Sequence, residues 1–98
     1  MDIKKELDNF WKDLDEDIKI KAIAACRTVI NEETKGKIIK EYEKDNLTWW
    51  EKYHFYWGMH IRNKIRELTG ITDDKLPSGN WDDYYIQAVE ISIGLRKM

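Results

Sequence analysis

An apolar stripe with the period of an α-helix runs through residues 48–69. Its members lie three or four positions apart: Trp50, His54, Trp57, Ile61, Ile65 and Leu68. Thr48 and Glu51 have the spacing of a capping box, and Gly70 suits a helix C-terminus. The stripe therefore predicts one long helix with a buried face. We expect it to be the central helix of the core, with Trp57 and Ile61 as anchors.

Other periodic patterns predict further helices along the chain. They cover residues 2–14, 15–30, 32–45 and 81–96, and the pattern does not decide whether a break occurs at Leu14. Asp15 and Asn80 are the expected N-caps, and residues 71–79 the expected loop. The last helix has a predicted inward face, formed by Trp81, Tyr85, Ala88, Val89, Ser92 and Leu95. Its predicted outward residues are Asp83, Gln87, Glu90 and Lys97.

The composition favours helices and a single domain. The chain has 98 residues with one Pro and five Gly, and 37% of its residues are charged, against about 25% in an average protein. Lys and Glu favour helices over strands. The 42% of hydrophobic residues, five Trp among them, supply a core for a domain of this length. We predict an all-α fold, a compact single-domain bundle of four to five helices spanning residues 1–98.

Charge and cysteine content exclude several classes of protein. The 17 basic and 19 acidic side chains give a net charge of −2, which argues against non-specific binding of nucleic acid. The lone Cys26 forms neither an internal disulfide nor a paired-cysteine zinc site. No apolar run has the form of a signal peptide or reaches the ~20 residues of a membrane span. We therefore expect a cytoplasmic protein with no membrane contact.

Aromatic residues surround the first turns of the fourth predicted helix. Beyond the stripe, one face carries Trp49 and Tyr56, and a further face carries Phe55 and Met59. Such a helix is either buried on all sides or covers a partner, since Trp, Tyr and Arg are the residue types that dominate binding energy at interfaces. The candidate binding residues are Trp49, Tyr56, His60, Arg62, Asn63 and Arg66.

Gly58 and His54 each have a structural and a functional interpretation. A glycine in mid-helix allows close packing of a crossing helix, or a ligand against bare backbone. His54 lies in the apolar stripe, where a buried histidine usually bonds a backbone carbonyl. Its alternative is a metal site, because Glu51-x-x-His54 has the spacing of di-iron bundles. That motif occurs twice in such bundles and once here, so we expect no metal.

Catalytic residues are not evident. One cysteine and two histidines occur without a nucleophile signature around them, and no glycine-rich phosphate loop is present. The pairs Asp73-Asp74 and Asp82-Asp83 offer carboxylates, but the second pair suits a helix N-terminus better. We expect no catalytic residue and no cofactor.

Arg62 and Asn63 lie away from the apolar stripe. We expect them to connect the fourth helix to the loop and to the start of the fifth helix. Arg62 would bind a carboxylate of Asp82 or Asp83, and Asn63 would bond loop backbone between residues 70 and 80. Partner recognition is the alternative for both residues. Arg66, on the same side of the helix as Arg62, is expected on a solvated face or at an anion site.

Residues 54–63 carry His-Phe-x-x-Gly-Met-x-Ile-Arg-Asn. This resembles a family of small prokaryotic proteins of unknown function whose helix carries Phe-x-x-Gly-Met-x-Ile-Arg-Asn before a loop and an Asp-rich helix start. The resemblance covers about residues 48–95, and residues 75–81 depart from the family's acidic-Met-Ser turn. It implies that Gly58, Arg62 and Asn63 are important, and it carries over no activity.

Two functions are favoured at this point, and a third, nucleic-acid binding through Arg62 and Arg66, is disfavoured by the balanced charge. The first is a non-catalytic protein-interaction or regulatory module, similar to an inhibitor or immunity protein, which binds a partner protein or itself through the aromatic helix. The second is a small enzyme or ligand-binding domain with a polar pocket around His54 or His60, Arg62, Asn63, Asp82 and Asp83. Convergence of those side chains on one pocket would favour the second.

Overall fold

Five α-helices and several short turns make up the chain over residues 3–97, which the computed structural model describes. In chain order the helices are α1 (Ile3–Lys12), α2 (Glu16–Val29), α3 (Glu32–Lys44), α4 (Met59–Thr69) and α5 (Tyr85–Ser92). Three 3-10 turns cover Glu51–Tyr53, Asp73–Lys75 and Trp81–Asp83, and a π-helical turn covers His54–Gly58. Residues 3–97 contain no strand, and the predicted all-α bundle is confirmed. No helix in this range is long and apolar enough to cross a membrane.

Local capping sets the start of α2 and the end of α4 where the sequence predicts them. The Asp15 carboxylate accepts the N–H of Asp17 at the start of α2. Gly70 ends α4 with a φ of 70°, a left-handed conformation that glycine adopts without strain. The predictions at Asp15 and Gly70 depend on contacts within four residues along the chain, and they are confirmed.

The Asn80 side chain accepts the N–H of Asp82 and so caps a 3-10 turn, whereas α5 begins only at Tyr85 and has no side-chain cap. The prediction that Asn80 begins a helix over residues 81–96 is therefore wrong.

The central helix is α5, and the prediction that residues 48–69 form the centre is wrong. Every residue from 84 to 90 is at most 1% exposed, including Gln87 and Glu90, which the periodic pattern placed outside. α5 packs against α1, α2 and α4. The small side chains of Ala22 and Cys26 on α2 are fully buried, so α2 approaches its neighbours closely.

The single long helix predicted over residues 48–69 is also wrong. Residues 46–50 form a turn, followed by one 3-10 turn and one π-helical turn before α4 begins. The predicted capping box does not form, because the Thr48 hydroxyl donates to the Asp45 carboxylate instead. That carboxylate also accepts the backbone N–H groups of Leu47 and Thr48, and hydrogen bonds from Thr48 and Leu47 lower the Asp45 pKa.

Core residues on α4 follow the predicted stripe only in part. Ile61 and Ile65 are almost completely buried, whereas Trp57 is half-buried and Leu68 is exposed. The prediction of a core anchor is therefore confirmed for Ile61, and Trp57 lies at the core margin. On α1 the buried residues are Lys4, Leu7 and Trp11, with Leu14 just after the helix, while Ile3 and Phe10 are exposed.

Candidate functional site

The aromatic segment, which we define as residues 49–59, presents three different environments. Trp49 and Trp50 are buried, Tyr53 and Trp57 are half-buried, and Phe55, Tyr56 and Met59 are 73%, 85% and 47% exposed. The change from 3-10 to π-helical to α-helical winding within eleven residues separates these faces. The segment is thus neither a core helix nor wholly a surface helix.

Among the candidate binding residues, Trp49 is the one whose burial most clearly contradicts the prediction. It is 2% exposed, and its indole Nε1 donates to Glu90 Oε2 at 2.8 Å. Its ring packs at 6.5 Å from that of Trp57. Trp49 therefore lies in the core, and no partner reaches it in this conformation.

Glu90 is at the centre of a buried polar network. Its carboxylate contacts Lys4 Nζ at 2.5 Å and Arg96 Nη1 at 3.3 Å, in addition to Trp49. Arg96 also pairs with Asp8 at 2.6 Å, and Lys4 donates to the carbonyl of Asn46 at 2.7 Å. Each buried charge thus has an opposite charge beside it, which a buried ion needs. The network connects α1, the 45–50 turn and the C-terminal part of the chain.

A second cluster lies beneath the π-helical turn. His54 Nδ1 is 2.8 Å from the Tyr85 hydroxyl oxygen and 3.2 Å from Arg62 Nη1, and Arg62 Nε is 2.6 Å from Asp82 Oδ1. Arg62 Nη1 also donates to the His54 carbonyl oxygen at 3.3 Å. The Arg62 guanidinium lies 5.0 Å from the centre of the Tyr85 ring. We call His54, Arg62, Asp82 and Tyr85 the Arg62 cluster.

Gly58 has no side chain, and this leaves the space that Tyr85 and Arg62 of the cluster occupy. A Cβ at position 58 would lie 2.8 Å from the Tyr85 hydroxyl oxygen and 3.2 Å from Arg62 Nη1. The interpretation of Gly58 as a close-packing site is therefore confirmed, and the backbone faces another helix rather than a ligand.

The chemistry of the groups in the Arg62 cluster determines which atoms donate hydrogen bonds and which accept them. A guanidinium only donates, so His54 Nδ1 is the acceptor and the ring hydrogen lies on Nε2. Tyr85 keeps its proton, because burial raises its pKa to about 12. His54 Nδ1 therefore already has two hydrogen-bond partners in this conformation, Tyr85 and Arg62.

The expected connection from α4 to the start of the last helix is present. Arg62 binds Asp82, which is one of its two predicted partners. Asn63 makes a different contact from the one predicted, because its Oδ1 accepts from Arg66 Nη1 at 2.8 Å rather than from loop backbone.

Arg66 binds Asp73 through two parallel hydrogen bonds. Nε to Oδ1 is 2.5 Å and Nη2 to Oδ2 is 3.0 Å, and Asp73 Oδ2 also accepts the Trp81 N–H at 3.0 Å. The hydrogen bond from Arg66 lowers the Asp73 pKa. Arg66 thus holds the loop after α4 while its side chain stays partly exposed, so the predicted solvated face is found only in part.

The polar pocket expected for a small enzyme or ligand-binding domain forms only in part. His54, Arg62 and Asp82 converge, but they bond to one another and Arg62 is buried. His60 and Asn63 are exposed and make no contact with that cluster. Among residues 3–97 no group of three His, Cys, Asp or Glu side chains is placed to hold a metal ion.

Several residues of the site were not identified from the sequence. Lys4, Glu90 and Tyr85 received no site role, because their partners lie 31 to 86 positions away. Phe55 and Met59 were recognised as a face of the helix but not as exposed binding candidates. The π-helical turn, which determines their exposure, has no signal in the periodic pattern.

No protein-family model, curated protein or solved structure matches this chain. The resemblance of residues 54–63 to a prokaryotic family therefore stays a prediction.

Proposed function

We propose that this chain is a small non-catalytic cytoplasmic module that binds another protein through Phe55, Tyr56 and Met59. The observation that supports this is the exposure of two adjacent aromatic side chains, Phe55 at 73% and Tyr56 at 85%. The same segment buries Trp49 and Trp50. We name these three exposed residues the Phe55–Tyr56–Met59 patch.

The residue types of the patch suit a protein interface. Aromatic residues and Met are enriched where proteins meet. His60 and Asn63 are exposed on α4 and supply polar groups for a rim. This arrangement matches an apolar anchor with a polar border.

In the chain without a partner, side-chain hydrogen bonds to α5 hold the segment that carries the patch. His54 bonds Tyr85 on one side of the segment, and Trp49 bonds Glu90 on the other. Both of these partner residues belong to the central helix α5. A surface that is already ordered loses less conformational entropy on binding, which favours an interaction role for this segment.

The test compares a patch variant with a matched surface variant. Phe55→Ser combined with Tyr56→Ser removes the aromatic surface, and Ile20→Ser removes an apolar side chain that is 55% exposed on α2. We expect the partner purified from host cells to bind the wild-type chain and Ile20→Ser equally, and the patch variant at least about tenfold more weakly. Hydrogen exchange should slow at residues 53–60 when the partner is bound.

Three outcomes would contradict this function. Equal partner binding by the patch variant would move the interface elsewhere. A dimer in sedimentation experiments that the patch variant dissociates would make a second copy of this chain the occupant. A hydrolase or transferase activity abolished by His54→Ala would favour the enzyme.

A further inference from the structure

A cleft separates α3 from the aromatic segment, and none of the three residues of the Phe55–Tyr56–Met59 patch lines it. It has a volume of about 210 Å³. Its lining residues come from α3 and from the aromatic segment, and they are Thr34, Lys37, Ile38, Tyr53 and Trp57. We call this space the α3 cleft.

The walls of the α3 cleft are mostly apolar and aromatic. Ile38 forms the buried floor, and the half-buried rings of Tyr53 and Trp57 form one side. The Trp57 ring also packs against the ring of the buried Trp49, with 6.5 Å between the ring centres. Two rings beside an aliphatic floor favour a flat aromatic guest, because offset and edge-to-face ring contacts add to the burial of apolar surface.

The volume limits the size of the guest. An apolar cavity of about 150 Å³ takes up benzene. The α3 cleft, at about 210 Å³, therefore has room for one aromatic ring with a short substituent. A fused or drug-sized ligand would need a larger pocket, of about 300 Å³ or more.

Charge at the rim selects the substituent. Lys37 is the charged residue among the five that line the cleft. Its ion pair with Glu33 has an N–O distance of 3.4 Å and is exposed on both sides, so it contributes little and a guest carboxylate can compete for the ammonium. The Thr34 side chain adds a hydroxyl on the same helix.

α3 has few buried residues, so a small movement of this helix can admit a guest to the cleft. Ile38 is the one buried residue among its thirteen. Towards the C-terminal end of α3, Glu41 pairs with Lys52 at 2.8 Å, and the hydrogen bond from Lys52 lowers the Glu41 pKa. Thr34 and Lys37 lie on the N-terminal side of this contact. A helix with few buried residues moves at low cost in free energy.

From these observations we propose that the α3 cleft is a binding site for a small aromatic carboxylate. The ring occupies the space between Ile38, Tyr53 and Trp57, and the carboxylate binds the Lys37 ammonium. This inference does not rest on the proposed function, since the cleft and the patch use different side chains.

The test uses three probes of similar size and different charge with the purified chain. Phenylacetate is an anion, phenylacetamide is neutral and phenethylamine is a cation. We expect affinity to decrease in that order, with NMR shift changes at residues 34–38 and at the Trp57 indole. Lys37→Gln should weaken phenylacetate about threefold to fivefold, as expected for an exposed ion pair, and leave phenylacetamide unchanged.

Two variants separate the site from general effects of the substitutions. Thr34→Trp places a ring in the cleft and should abolish binding of all three probes. Lys40→Gln removes an exposed lysine of α3 that does not line the cleft, and it should bind phenylacetate as the wild type does. A thermal melt of each variant confirms that it is folded.

The proposal is overturned if no probe at millimolar concentration shifts the signals of residues 34–38. It is equally overturned if Lys40→Gln and Lys37→Gln weaken phenylacetate alike, or if the cation binds as tightly as the anion.

Discussion

Gly58 is the residue whose replacement tests the close packing of α5 most directly. The Cβ of Gly58→Ala would press on the Tyr85 hydroxyl and lie 3.3 Å from the Tyr53 carbonyl oxygen, which is backbone and does not yield easily. We expect a loss of about 1–3 kcal/mol in the free energy of unfolding, in spite of the better helix propensity of Ala. Urea unfolding of the wild type and the variant measures this loss in the free energy of unfolding.

Gly36 provides the matched control for this prediction. It lies within α3, and a Cβ built there meets no atom within 4 Å. Gly36→Ala should therefore stabilise the protein by about 0.5–1 kcal/mol. If both substitutions stabilise it equally, the packing described around Gly58 is incorrect.

Arg62 and Asp82 should depend on each other energetically. The Arg62 side chain is buried and its Nε contacts Asp82 Oδ1 at 2.6 Å. In a double-mutant cycle of Arg62→Ala and Asp82→Ala, we expect a coupling of about 1 kcal/mol or more. Asp83→Ala is the matched control, because its carboxylate is the neighbouring one and should give additive effects with Arg62→Ala. Coupling to Asp83 instead would reverse the assignment.

The loop between α4 and α5 depends on one carboxylate for its position. Asp73 accepts two hydrogen bonds from Arg66 and one from the Trp81 backbone, and Arg66 holds its pKa below the usual range. Because the folded-state pKa lies below the unfolded one, the stability from this group is complete above about pH 4. It is lost as the pH falls through the folded-state pKa.

Asp73→Asn should therefore destabilise the protein at pH 7 and have much less effect near pH 2. The magnitude is modest, about 1 kcal/mol, because the pair is partly exposed to solvent. Denaturant unfolding at the two pH values measures the difference, with Asp74→Asn as the control. A difference that is the same at both pH values would show that the charge of Asp73 is unimportant.

At the level of elements, the periodic pattern predicted the helices but did not predict how completely each helix is buried. Gln87 and Glu90 of α5 are polar and were placed outside, yet both are fully buried. Their burial is possible because Asp8 accepts from Gln87 and Lys4 pairs with Glu90. A pattern of polar and apolar positions cannot anticipate a buried charge whose partner comes from another helix.

For the whole molecule, the Glu90 network joins the first helix to the last. Glu90→Gln would leave the buried Lys4 ammonium without its carboxylate. We expect a loss of about 3–5 kcal/mol, a large part of the stability of a domain this size. Glu43→Gln, on the exposed surface of α3, should change stability little.

The combination of Glu90→Gln with Lys4→Met separates a charge effect from lost packing. Removing both charges should recover part of the stability that Glu90→Gln loses, because no buried charge then remains unpaired between these two positions. A double variant that is less stable than either single variant would contradict this account of the network.

The sequence by itself determined the all-α class, the approximate extents of α1 to α3, and the helix ends marked by Asp15 and Gly70. These features depend on contacts within a few residues along the chain. Only the tertiary structure decided that α5 is central and that Trp49 is buried while Tyr56 is exposed. The reason is physical: Trp49 and Lys4 reach Glu90 across 41 and 86 positions, and no local pattern records such a partner.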